Sequence, residues 1–102
     1  MSNITERVQS VRVGAIDYKL LQEKGLVKHS HVYGEIRYVK SKIALDAKLG
    51  EQNARCTLFH EIIHGILEQG GYTRHDERMV NIIATGVVQV LRDNPKLLKE
   101  MS

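Results

Sequence analysis

The residues with most chemistry to offer lie in the stretch Thr57-Leu58-Phe59-His60-Glu61-Ile62-Ile63-His64-Gly65. His60 and His64 are four apart, so on a helix their imidazoles stack on one face, about one 5.4 Å turn from each other. Two imidazoles placed that way can hold one metal ion, and zinc suits them through bonds of about 2.0–2.1 Å. Glu61 follows the first histidine and brings a carboxylate beside the ion, where it can take a proton from water. The chemistry this spacing implies is metal-assisted hydrolysis.

The surrounding sequence strengthens that reading. At about 3.6 residues per turn, Thr57, His60, Glu61, His64 and Glu68 fall in one polar stripe. Ala54, Cys56, Leu58, Phe59, Ile62, Ile63 and Ile66 take up most of the remaining circumference. A helix apolar nearly all round is a buried one, and ionisable groups are seldom buried without partners. A metal site accounts for the stripe. The competing account is a pair of partly exposed, hydrogen-bonded histidines.

The elements that must position these side chains can be read in order. Residues 1–9 are polar and read as a frayed end or a short helical turn around Ile4 and Val8. Val11 to Leu20 reads as one strand, with Gly14-Ala15 breaking the alternation where a bulge would sit. Residues 22–32 show no sustained period and are expected to form a loop. Within it His29-x-His31 is a possible second metal pair, although loop histidines are more often simply exposed. Gly34 to Val39 and Lys42 to Asp46 alternate as two strands of a hairpin turning at Lys40-Ser41. The motif helix is expected from Glu51 to Gln69, with Glu51 in the first turn and Gly70-Gly71 ending it. A last helix runs from Glu77 to Arg92 on the apolar face of Val80, Ile83, Ala84, Val87, Val90 and Leu91, and Asn94-Pro95 stops it. The tail from Lys96 to Ser102 offers one more helical turn. The expected architecture is α+β: a small antiparallel three-stranded sheet packed on the motif helix and the helix that follows.

A zinc site of this kind takes a third protein ligand and leaves the fourth position open. Glu77 opens the last helix, next to the apolar face that must pack on the motif helix, so its carboxylate can point into the shared groove. His75 is the rival ligand, since imidazole also suits zinc. Asn81 shares the face of Glu77 and could hold a ligand by hydrogen bonding. Tyr72 and whichever of His75 and Glu77 is not a ligand could line the site, where a phenol or imidazole can steady a developing oxyanion. Glu68 is expected at the rim. Cys56 falls on the apolar side and is expected in the core.

Size and composition bound the rest. The 102 residues form a single expected domain, with 1–9 and 96–102 peripheral. A hydrophobic content of 42% against 26% charged residues is ordinary for a globular protein. The net charge of +3 is mild and the 15 Lys and Arg residues are scattered, so neither a basic stripe nor an aromatic platform for nucleic acid is present. No apolar run resembles a signal peptide or reaches the length of a bilayer span. With the lone Cys56 allowing no internal disulfide, a cytoplasmic location is expected.

With these residues assembled, the chain resembles a zincin metallopeptidase of the gluzincin kind, most of all the small phage- and mobile-element-encoded proteins related to the ImmA/IrrE-like metallopeptidases. The resemblance rests on Tyr33-Gly34-Glu35-Ile36, on Lys42-Ile43-Ala44-Leu45-Asp46, on the motif stretch from Thr57 to His64, and on Gly86-Val87-Val88-Gln89-Val90-Leu91-Arg92-Asp93-Asn94-Pro95. It implies a short sheet over the motif helix, His60 and His64 as zinc ligands, Glu61 as base and Glu77 as third ligand. The interval from His64 to Glu77 is short for a gluzincin. The metzincin continuation is absent, with Leu67 and Gly70 at its positions, and SprT-like proteins use a later histidine, as His75 would be. The expected function is zinc-dependent hydrolysis of a peptide or protein substrate. The alternative is a non-catalytic protein-binding module on the same metal-binding scaffold.

Overall fold

A computed structural model describes residues 3–102. Helix α1 (Ile4–Arg7) precedes strands β1 (Ser10–Val13) and β2 (Ile16–Glu23). A π-helical turn (Leu26–Ser30) leads into β3 (Gly34–Arg37) and β4 (Lys42–Asp46). Helices α2 (Glu51–Gln69), α3 (Glu77–Asp93) and α4 (Pro95–Glu100) follow. The fold is α+β, and both long helices start and stop within a residue of their expected limits.

The sheet differs from the expected one. It has four strands in the order β1-β2-β4-β3, and β2 runs parallel to β4. Gly14-Ala15 does not bulge a single strand. It closes a two-residue hairpin, with Val13 opposite Ile16, so the segment from Val11 to Leu20 divides between β1 and β2. Gln69 at the far end of α2 clamps this turn, donating to the Val13 carbonyl and accepting from the Ala15 N–H. The supposed loop also carries structure: β2 continues to Glu23, and the π-helical turn buries Leu26. The β3–β4 hairpin forms as expected, but β3 ends at Arg37 and the connection spans residues 38–41, leaving Val39 fully exposed.

β4 is a central strand, and Ile43, Ala44, Leu45 and Asp46 are all buried. Its inner face joins Val13, Tyr18 and Leu20 against Leu49, Ala54 and Leu58 to make the core. α1 docks on the edge of this core through Ile4 and Val8, and Asn3 is buried with its amide reaching the Leu49 carbonyl. From Asn3 onward the segment is therefore packed, as the expected short helical turn rather than a frayed end, and residues 1–2 lie outside the described residues. α3 lies on α2 through Val80, Ala84 and Val88, while Met79, Ile82, Ile83, Val87 and Val90 stay exposed.

Two residues lock β3 and β4 in place over α2. A side chain at Gly34 would put its Cβ 2.7 Å from Thr57 Cγ2 and 2.8 Å from the Ala44 carbonyl oxygen, so only glycine lets β3 lie this close to the helix. Buried Asp46 ends β4 by accepting from the Val27 and Lys48 N–H groups, both at 2.8 Å. These bonds hold its carboxyl below the usual aspartate range.

Replacing Gly34 by Ala should cost about 1–3 kcal/mol through overpacking, read as a lower urea midpoint. Asp46→Asn should cost a similar ~1–3 kcal/mol, and the pH dependence of that cost is fixed in sign. A carboxyl depressed in the folded state stabilises above its unfolded pKa and loses that contribution as pH falls. The gap between wild type and Asp46→Asn should therefore be full above about pH 4 and shrink below it. A gap independent of pH in urea titrations would contradict this account of Asp46.

Candidate metal centre

α2 turns its polar stripe inward. Thr57, Glu61 and His64 are among its most buried residues, whereas Ile66 on the other side is 52% exposed and Ile62 and Ile63 are half-buried. Such burial of ionisable groups is costly unless they find partners, and the partners come from α3 and β3.

α3 supplies Glu77. Its helix begins at Asp76, whose side chain accepts from the Met79 N–H at 3.1 Å and so sets the first turn. Glu77 Oε1 then lies 3.1 Å from His60 Nε2 and 3.1 Å from His64 Nε2, and Oε2 lies 3.0 Å from His64 Nε2. The two Nε2 atoms are themselves 3.1 Å apart. Ligand atoms around a tetrahedral zinc with bonds of about 2.0–2.1 Å sit about 3.3–3.4 Å from one another, so this triangle is close to the size that the ion requires. Among the described residues this is the one group of three or more His, Cys, Asp or Glu side chains converging as ligands would. His29 and His31 are both exposed and belong to no such group.

The electrostatics fit a cation site. Burial pushes the His64 imidazolium down, outweighing the attraction of Glu77 and keeping the ring a neutral ligand. Burial also works to raise the Glu77 carboxyl, but its contacts with His60 and His64 win and hold it ionised. Glu61 is different. Burial first, then the charges of Glu77 and Glu35, lift its carboxyl to about 7, against the single opposing pull of the Ile36 N–H. A carboxyl poised near neutrality can both take and return a proton.

The triangle opens on a cavity of about 800 Å³ between β3, α2 and α3. Glu35, Tyr38, Cys56, Glu68 and Asn81 line it, so Asn81 reaches the site as its face implied and Glu68 sits on the wall. Cys56 is half-buried on that wall rather than in the core. Tyr72 is 68% exposed and lies outside the lining. Two other tyrosines line the cavity, Tyr33 and Tyr38, and burial and the nearby Glu68, Glu61 and Glu77 charges push the Tyr38 phenol up to about 12. Tyr38 escaped the sequence reading because it sat inside an alternating pattern taken for strand. Its one signal was an aromatic residue beside a hairpin turn facing the motif helix.

His75 does not join the triangle. Its Nδ1 lies 2.6 Å from His64 Nδ1, on the side of the ring away from the converging Nε2 atoms. The two rings stack with centroids 4.9 Å apart. Comparison with protein-family models, curated proteins and solved structures finds no match to this chain.

A divalent ion in this triangle would tie α2 to α3. Zinc at a hundredfold excess over its Kd should then add about 2.7 kcal/mol of stability. The expected outcome is about one zinc per chain for wild type, with a higher melting temperature that EDTA reverses. His60→Ala and Glu77→Ala should lose both the metal and the shift, as seen by elemental analysis and calorimetry.

Proposed function

We propose that this chain is a zinc-dependent metallopeptidase, hydrolysing a peptide or protein substrate in the cavity between β3, α2 and α3. The observation that carries the reading is the convergence of His60, His64 and Glu77 as ligand atoms, with the buried Glu61 carboxyl beside the two imidazoles on the same helix. Zinc, when bound, would polarise the scissile carbonyl and acidify a water. Glu61 then takes the proton of the attacking water and hands it to the leaving nitrogen.

The rest of the cavity supports the same reading. β3 is an edge strand, and by the alternation of an antiparallel ladder the peptide groups of Gly34 and Ile36 face its free side, where the Ile36 N–H meets Glu61 and the Gly34 groups and the Ile36 carbonyl remain for a substrate. An extended substrate can add to that edge as a further strand, which places a scissile bond along the cavity. Tyr38 keeps its proton at any ordinary pH and offers a donor to the oxyanion that develops. The resemblance to ImmA/IrrE-like metallopeptidases and to phage proteins belongs to this proposal, as does a cytoplasmic location. No helix is long and apolar enough to cross a membrane among the described residues.

One observation favours a second reading, a protein-binding module on the same scaffold. The exposed apolar residues of α3, including Met79, Ile82 and Ile83, are of the kind a protein partner covers.

Glu61→Gln separates the two. It should keep the zinc of wild type and lower cleavage of a quenched-fluorescent peptide library by roughly 10²–10⁴-fold. Zinc-loaded wild type that leaves every peptide in the pool intact, or a Glu61→Gln variant that cuts as fast, would remove the enzyme and leave the binding module.

A further inference from the structure

The contact between His64 and His75 belongs to a longer chain of hydrogen bonds. His75 Nε2 meets the Tyr72 carbonyl oxygen, and the Glu68 carboxylate stands 3.7 Å from the same nitrogen. The His75 side chain is only 7% exposed, so water does not compete freely for these contacts.

For neutral rings the Tyr72 carbonyl sets the direction of the bonds along this chain. A carbonyl oxygen only accepts, so His75 Nε2 must carry the proton that Tyr72 receives. A neutral His75 then has a bare Nδ1, which can only accept. The proton in its 2.6 Å contact with His64 must therefore sit on His64 Nδ1. A neutral imidazole carries one such proton, which leaves His64 Nε2 bare. That atom meets His60 Nε2, which can donate to it, and the Glu77 carboxylate, which only accepts, so no proton lies between His64 Nε2 and Glu77 and their lone pairs face each other as ligand atoms do around a cation.

We infer that His75 is a positioning residue: through the Tyr72 carbonyl it fixes His64 as the Nδ1–H tautomer, so that a lone pair on Nε2 faces the metal triangle before any ion arrives. Tyr72 can serve because its backbone is itself held. Its N–H donates to the Leu67 carbonyl at 2.9 Å, closing α2, and the turn that brings it round has Gly71 at φ 87°, a left-handed conformation suited to glycine. The ligand geometry of His64 is thus tied, through His75, to the end of the helix that carries it. This inference deepens the proposed metal site and rests on that reading for its purpose, although the tautomer itself can be read without any metal.

The decisive experiment compares wild type with His75→Leu and His75→Gln. Gln keeps an acceptor for His64 Nδ1–H and a donor for the Tyr72 carbonyl, whereas Leu keeps only bulk. Long-range ¹⁵N–¹H spectra of the metal-free proteins, at a pH where the rings are neutral, report which His64 nitrogen carries the proton. Wild type and His75→Gln should show Nδ1–H, and His75→Leu a mixture of tautomers. Zinc competition titrations should find affinity about 10–100-fold weaker for His75→Leu and largely restored by His75→Gln. An Nε2–H tautomer in wild type overturns the inference, as does a His75→Leu variant with unchanged tautomer and affinity. If His75→Leu fails to fold, the wild-type tautomer and the His75→Gln affinity decide alone. Absence of zinc binding in wild type with the Nδ1–H tautomer present would instead count against the metal site and leave the positioning role standing.

Discussion

The fold depends on burying the polar stripe of α2. Glu61 and His64 lie deeper than Ile62, Ile63 and Ile66 of the same helix, an inversion of the usual pattern in which charge faces water. Leaving such groups unpartnered would cost several kcal/mol, comparable to the whole stability margin of a small domain. The partners therefore have to be in place whenever the chain is folded. α3 answers with Glu77, β3 with the Ile36 N–H, and the α2–α3 connector with His75. Each of the surrounding elements supplies one group to the stripe.

The sheet makes that supply possible. Placing β4 in the centre puts its near-continuous apolar run where both neighbours cover it, and it moves β3 to the edge beside the cavity. Had β4 lain at the edge, as in the simple three-stranded arrangement, β3 would have been sandwiched and its free peptide groups consumed. Gly34 then lets this edge strand settle against Thr57 at a distance no side chain permits. The cavity wall is thus a consequence of strand order and of one missing Cβ.

What could be read from sequence divides along the same line. Elements marked by local signals came out at nearly their true limits: α2 between Gly50 and Gly70-Gly71, and α3 stopped before Asn94-Pro95. The convergence of His60, His64 and Glu77 was legible for the same reason, since the i, i+4 spacing of His60 and His64 is fixed by one helix and Glu77 opens the next. The parallel pairing of β2 with β4 was not. Parallel strands are joined by no turn, so nothing local announces them; the buried run Ile43-Ala44-Leu45 was the one hint of a central strand. Gly14-Ala15 is equally ambiguous, because a glycine that interrupts alternation marks a bulge or a tight hairpin with the same residue. Tyr38 and Cys56 were misassigned because the side of an element that meets a cavity is decided by its neighbours.

His75 shows why two candidates for one role can both matter. Glu77 and His75 competed as third ligand on the ground that each precedes or opens α3 close to the motif helix. Geometry separates them by which nitrogen of His64 each one meets: Glu77 approaches Nε2 and His75 approaches Nδ1. A ring with partners on both nitrogens has its rotation and its tautomer fixed together, at the loss of little further freedom since the side chain is already buried. The connector that supplies His75 is short and ends α2 with hydrogen bonds to its last turn. A longer, looser connector would bring Glu77 to the triangle equally well but could not deliver the Tyr72 carbonyl to His75. The short interval between His64 and Glu77 is therefore what allows one segment to serve both sides of the same imidazole.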